Sequence, residues 1–199
     1  MKFSPIEKRD LFYAGLMISL AFAILFSGGA GGLLSLNSGF FIVFIVAFFT
    51  GGIGFLLHEL MHKYAAQRYG LFAEFRAYYQ GLWLALAFSL FGFILAAPGA
   101  VYIRGWNITR EKNGKISLAG PVMNIVLALA FLILLLSFGG QGFTGAIFSY
   151  GLTINSLLAA FNMIPVMPFD GSKILAWDKK VYFVTLMVAV GLWIGSWVL

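Results

Sequence analysis

The chain has 199 residues, of which 61% are hydrophobic and only 10% charged, with a formal net charge of +6 and no cysteine. Soluble globular domains carry about 25% charged residues, so the composition excludes an ordinary soluble domain and predicts a single membrane-embedded domain over residues 1–199. The missing cysteines exclude disulfides, thiolate metal ligands and a cysteine nucleophile. The basic residues are scattered among apolar spans, which argues against a nucleic-acid partner.

Lys2, Lys8 and Arg9 precede an apolar run beginning at Leu11. Signal peptides open the same way. The run, residues 11–27, is expected to be a retained first helix. Gly28-Gly29-Ala30-Gly31-Gly32 follows and predicts a turn at the membrane surface, with no charge through Gly39. A second span begins at Phe40, passes through His58 and exits near Arg68, and Glu74 and Arg76 mark an interfacial patch. Residues 82–101 are apolar enough to read as another span. A polar loop over 104–115 carries an Asn113-Gly114 turn signal. Spans over 116–138 and 143–164 are joined by a short neutral loop, and Pro165 and Pro168 break the second of them. Lys173, Lys179 and Lys180 then precede a final span over 181–199. No internal repeat is visible, and no accessory regulatory domain is expected.

The chain contains two histidines, both in the string His58-Glu59-Leu60-Met61-His62. Positions i and i+4 stack on one helical face, so two imidazoles there can share one zinc ion. Glu59 lies beside that face and can take a proton from a water held by the metal. Ionisable groups inside a membrane are expensive and usually mark function, and these three follow an uncharged run from Phe40 to Leu57. Ordinary hydrogen bonding at the interface is the bland alternative.

Catalytic zinc usually takes three protein ligands and keeps one open position. With no further histidine and no cysteine, the third must be a carboxylate or something weaker. The candidates are Glu7, Asp10, Glu74, Glu111, Asp170 and Asp178. Asp170 is favoured because it follows the proline-broken helix and precedes Gly171, where unusual backbone is tolerated. Its alternative role is to N-cap a segment starting at Gly171.

Three ordered motifs resemble the site-2 protease family of intramembrane zinc metalloproteases. They are His58-Glu59-Leu60-Met61-His62, Ala119-Gly120-Pro121-Val122-Met123-Asn124, and Asn162-Met163-Ile164-Pro165-Val166-Met167-Pro168-Phe169-Asp170-Gly171. The resemblance covers a catalytic core of about residues 40–173. It implies one zinc ion per chain held by His58, His62 and Asp170, with Glu59 as general base. It implies that Asn162 hydrogen-bonds the substrate backbone or a developing oxyanion. Asn124, Gly120, Pro121, Pro165, Pro168 and Gly171 are implied to support the site. Phe169 stands where many members have leucine. The implied activity is cleavage of transmembrane segments of membrane protein substrates.

The two halves of such a site must meet at one depth. A full crossing by residues 82–101 would put Asp170 a membrane thickness from the histidines. A re-entrant or β-hairpin-like segment there restores the parity, and Pro98-Gly99 suits such a break. It also gathers Arg68, Arg76, Arg104, Arg110, Lys112, Lys115 and the later lysines on the side of Lys2, Lys8 and Arg9. The opposite loops, 28–39 and 139–142, carry no charge, which is the positive-inside pattern. The expected fold is therefore an all-α membrane protein with about five transmembrane helices plus that segment. Its N-terminus and active site face the cytoplasm, in the plasma membrane of a bacterium or archaeon.

Gly51, Gly52 and Gly54 are expected to be ordinary membrane-helix glycines, the alternative being close helix approach. Competing functions are a non-catalytic zinc-binding membrane protein and a transporter. The intact Glu59 argues against the first, and the single proline-broken site without a matching repeat against the second.

Overall fold

An apolar chain without water around it must satisfy its backbone internally, and helix does this within one segment. In the computed structural model, which describes residues 1–35, 37–94 and 98–199, helices dominate accordingly. The order is α1 (Pro5–Phe26), α2 (Ala30–Ser35), α3 (Ser38–Ala47), a π-helical turn (Phe48–Gly52), α4 (Ile53–Arg68), β1 (Phe72–Ala77), α5 (Tyr79–Leu90), β2 (Gly99–Arg104), α6 (Arg110–Phe138), α7 (Gly142–Asn162), α8 (Asp170–Trp177) and α9 (Lys179–Gly195). Among the described residues, four helical stretches are long and apolar enough to cross a membrane: Pro5–Phe26, Ser38–Arg68, Arg110–Phe138 and Gly142–Asn162. Helix α9, over the final expected span, has 17 residues.

The chain divides into two compact units. One comprises Lys2–Leu56 and Glu74–Tyr102, the other Leu57–Ala73 and Ile103–Leu199 with Met1. In the first, Ser4 caps α1 by accepting from Glu7 N–H at 3.1 Å, with Pro5 in the first turn. Glu7 and Asp10 are buried on α1 and accept hydrogen bonds from β1 and its flank. Phe75 N–H donates to Glu7 Oε1 (2.9 Å), Ala77 N–H to Asp10 Oδ2 (3.2 Å) and Tyr79 O–H to Asp10 Oδ1 (2.9 Å). Strands β1 and β2 form a two-stranded sheet, continued by Tyr78 N–H donating to the Pro98 carbonyl at 3.1 Å. Gly99 is required there: its φ is +148°, and an added Cβ would fall 2.4 Å from the Arg76 carbonyl oxygen.

Residues 82–101 do not form one crossing helix. The 12 residues of α5 rise only about 18 Å, short of the roughly 30 Å of a bilayer core, and β2 follows. The stretch 95–97 of that expected segment lies outside the described residues. Two other expectations are corrected. The glycine-rich turn is confined to residues 27–29, and Ala30–Ser35 is helical. Gly52 is a close-approach position, because a Cβ added to it would fall 2.1 Å from Ser19 Oγ on α1.

In the second unit α6, α7, α8 and α9 pack on one another, with Ala128, Leu135 and Leu152 buried between α6 and α7, and Met163, Ile174 and Tyr182 buried around α8. The Asn113-Gly114 pair is not a turn but lies inside α6. Thr109 caps that helix by accepting from Lys112 N–H (3.2 Å), and a Cβ on Gly114 would meet the Trp177 Cβ at 2.3 Å. The glycine read as a turn signal is there for packing. Asp178 caps α9, accepting from Lys180 N–H (2.8 Å) and Val181 N–H (3.1 Å).

Candidate metal centre

Helix α4 stacks the two imidazoles one turn apart, as their spacing requires. Their ring centroids lie 4.6 Å apart and their planes are nearly perpendicular, at 86°. The Nε2 atoms are 3.0 Å apart. Asp170, at the start of α8, brings Oδ2 to 3.3 Å from His58 Nε2 and 3.0 Å from His62 Nε2. All three residues are at most 7% exposed. Burial pushes the Asp170 carboxyl up, but the two imidazoles, His62 first, outweigh it and hold the carboxyl well below the usual carboxylate range.

The spacing of these three atoms fits one tetrahedral metal. Zinc bonds of about 2.0–2.1 Å to nitrogen and oxygen separate neighbouring ligands by about 3.3 Å, and the triangle here has edges of 3.0, 3.0 and 3.3 Å. Glu59 is buried too, and one of its carboxylate oxygens and a ring nitrogen of each histidine all lie within 4.8 Å of one another. Two triads can thus be drawn, one with Glu59 and one with Asp170. The Asp170 triangle is the tighter of the two, and Glu59 lies beside it.

Neighbouring elements orient the rings. The Ile116 carbonyl of α6 lies 2.9 Å from His62 Nδ1. A carbonyl only accepts, so Nδ1 carries the proton and Nε2 offers its lone pair. Asn124 Oδ1 lies 2.6 Å from His58 Nδ1, and Asn124 Nδ2 donates to Asn155 Oδ1 at 3.0 Å. Gly120 makes the cradle. A Cβ there would fall 2.5 Å from both imidazole Nε2 atoms, where ligand lone pairs converge. Pro121 follows inside α6; it has no N–H to donate to the Ser117 carbonyl.

The segment between α7 and α8 carries Pro165 and Pro168 and is irregular over 163–169. It ends where a Cβ on Gly171 would fall 2.2 Å from the Met163 carbonyl oxygen. Only glycine lets the start of α8 press this closely on the end of α7, and that approach carries Asp170 to the histidines. Phe169, not Asp170, occupies the N-cap position of α8. Every other candidate third ligand is engaged elsewhere: Glu7 and Asp10 with β1, Glu74 with Arg76 (2.8 Å) and Ser4, Glu111 with Lys115, and Asp178 as a cap. Asn162 ends α7 and donates to its own helix, from Nδ2 to the Leu158 carbonyl (2.9 Å). Asn155 was not found by motif. Its only signal in the sequence is an amide in the middle of an apolar span, a place where polar side chains are costly.

No family model matches the chain, and no solved structure matches it. Among curated proteins it is 45% identical over 151 residues to "Putative zinc metalloprotease MJ0611" of Methanocaldococcus jannaschii, covering 75% of this chain and 79% of that protein. It is 30% identical to "Zinc metalloprotease MJ0392" of the same archaeon, over 72% of this chain and 37% of the relative. It is 31% identical to "Putative zinc metalloprotease YwhC" of Bacillus subtilis, over 62% of this chain and 64% of the relative.

Proposed function

The chain belongs to the site-2 protease family, and we propose that it is an intramembrane zinc metalloprotease that hydrolyses peptide bonds in transmembrane segments of membrane protein substrates. The observation that carries this reading is the buried triangle of His58, His62 and Asp170 with Glu59 beside it, in a chain whose long apolar helices suit a bilayer.

In this reading His58 Nε2, His62 Nε2 and Asp170 Oδ2 hold one zinc ion per chain. When bound, zinc lowers the pKa of a coordinated water toward about 7 and polarises a carbonyl. Glu59 takes the proton of the attacking water and returns it to the leaving amine. The substrate enters laterally and unwinds locally, since helical peptide bonds are shielded. Asn162 turns its amide from Leu158 toward the substrate backbone or the developing oxyanion.

Five crossings with a re-entrant α5–β2 segment, the N-terminus and active site cytoplasmic and the C-terminus outside, satisfy both the shared depth of the ligands and the one-sided basic loops. The compartment is then a prokaryotic plasma membrane. Since the natural chain has no cysteine, single cysteines at Asn113 and Ser35 test this directly: labelling from opposite sides is expected, and labelling from one side refutes the topology. The activity is tested on a model transmembrane peptide in detergent. Cleavage that phenanthroline stops and Glu59→Gln abolishes is expected; undiminished cleavage by Glu59→Gln overturns the assigned base.

A further inference from the structure

Resting on the zinc site just proposed, we infer that Asn155 is a positioning residue that sets the tautomer of His58 through Asn124. A backbone carbonyl only accepts, so the Gly151 carbonyl receives an N–H from Asn155 Nδ2, at 2.9 Å. That bond orients the Asn155 amide and turns its Oδ1 toward α6, where Asn124 Nδ2 donates to it at 3.0 Å. Asn124 is thereby oriented in turn, and its Oδ1 lies 2.6 Å from His58 Nδ1. An amide oxygen has no proton to give. The shared proton therefore belongs to His58 Nδ1, and Nε2 keeps the lone pair that a metal needs.

Both asparagines are fully buried, so water cannot substitute for a misdirected amide. The relay begins at a main-chain carbonyl of α7, crosses to α6 and ends on α4. His62 needs no such relay, because the Ile116 carbonyl fixes its tautomer in one step. The two zinc-facing imidazoles are thus set by different devices, and only that of His58 can be inverted by an amide flip.

The test uses the full chain in detergent, labelled with [15N]histidine. Both histidines of the chain lie in this site, so every labelled imidazole reports on it. In zinc-free wild type, His58 is expected to carry a proton on Nδ1, facing Asn124 Oδ1. Asn155→Leu should add a population with bare Nδ1 and weaken zinc binding about 10- to 100-fold. Asn124→Asp offers two accepting oxygens and holds Nδ1–H whichever way it turns. In that background, adding Asn155→Leu should leave zinc affinity unchanged.

A bare Nδ1 on wild-type His58 overturns the relay, and this readout stands even where a variant fails to fold. So does wild-type tautomer and affinity in Asn155→Leu, or an undiminished loss in the Asn124→Asp background, which marks a purely structural role. A wild type that binds no zinc at all instead sinks the metalloprotease reading, while the tautomer measurement still judges the relay.

Discussion

Two sets of buried acids set the two compact units apart. Glu7 and Asp10 on α1 accept from the N–H groups of β1 and the Tyr79 hydroxyl, and Asp10 also pairs with Arg9 at 3.3 Å. Asp170 on α8 points its carboxylate at two imidazoles, with Lys173 Nζ 3.6 Å from its second oxygen. All three acids lie in or beside apolar sequence and are at most 7% exposed. The difference is in the partners. A carboxylate that terminates the hydrogen bonds of a strand is structural and complete. A carboxylate set against two ring nitrogens gathers three donor atoms at one point, the arrangement a metal would require. Burial alone does not tell a structural acid from a functional one; the protonation demands of its neighbours do.

The contrast is most sharply broken at Asp170. Asp170→Ala, like His58→Ala, is expected to lose both bound zinc and proteolysis, and metal analysis of purified protein checks it. Glu59→Gln should lose cleavage alone and keep its zinc. Zinc retained at full stoichiometry in Asp170→Ala would move this acid into the structural class with Glu7.

Gly120→Ala comes next. Its Cβ would fall 2.5 Å from both Nε2 atoms, so the rings must shift or the metal be displaced. Zinc affinity measured by competition with a chelator is expected to fall at least about tenfold, with the helical circular dichroism unchanged. Acidification should release zinc as protons compete with the metal for the imidazole nitrogens, because ligands must be deprotonated to bind. The Asp170 carboxyl, held below the usual range, stays ionised through that release. Zinc bound undiminished at about pH 3, far below the free imidazole value of about 6.5, would contradict the ligand assignment.

The smallest effect is expected on the other side of the comparison. Glu7→Leu leaves the buried Phe75 N–H without its acceptor, at a cost of about 1–3 kcal/mol. Thermal unfolding in detergent should register that loss, while zinc stoichiometry stays at the wild-type value. A zinc deficit in Glu7→Leu would erase the distinction between the two sets of acids.

Much of this was legible in the chain itself. Five residues from His58 to His62 announce a metal-binding face because an α-helix returns to the same side every fourth residue. Pro165, Pro168 and Gly171 mark the break after which Asp170 is carried in. The helices over 116–138 and 143–164 follow from apolar length alone. Local signals misled where packing overruled them: Asn113-Gly114 reads as a turn but sits in α6, because Trp177 needs the space a side chain would fill. Gly52 reads as an ordinary membrane glycine but admits Ser19.

What the sequence determined by itself was an apolar chain, the spacing of its two histidines and the presence of a carboxylate beyond a broken helix, since these rest on local periodicity and composition. Tertiary structure alone decided that Glu7 and Asp10 terminate a strand and that Asn155 stands behind Asn124. Those pairings span between 31 and 68 residues of chain. Hydrogen-bond direction and close packing select them only once the helices are in contact, and no local pattern carries that information.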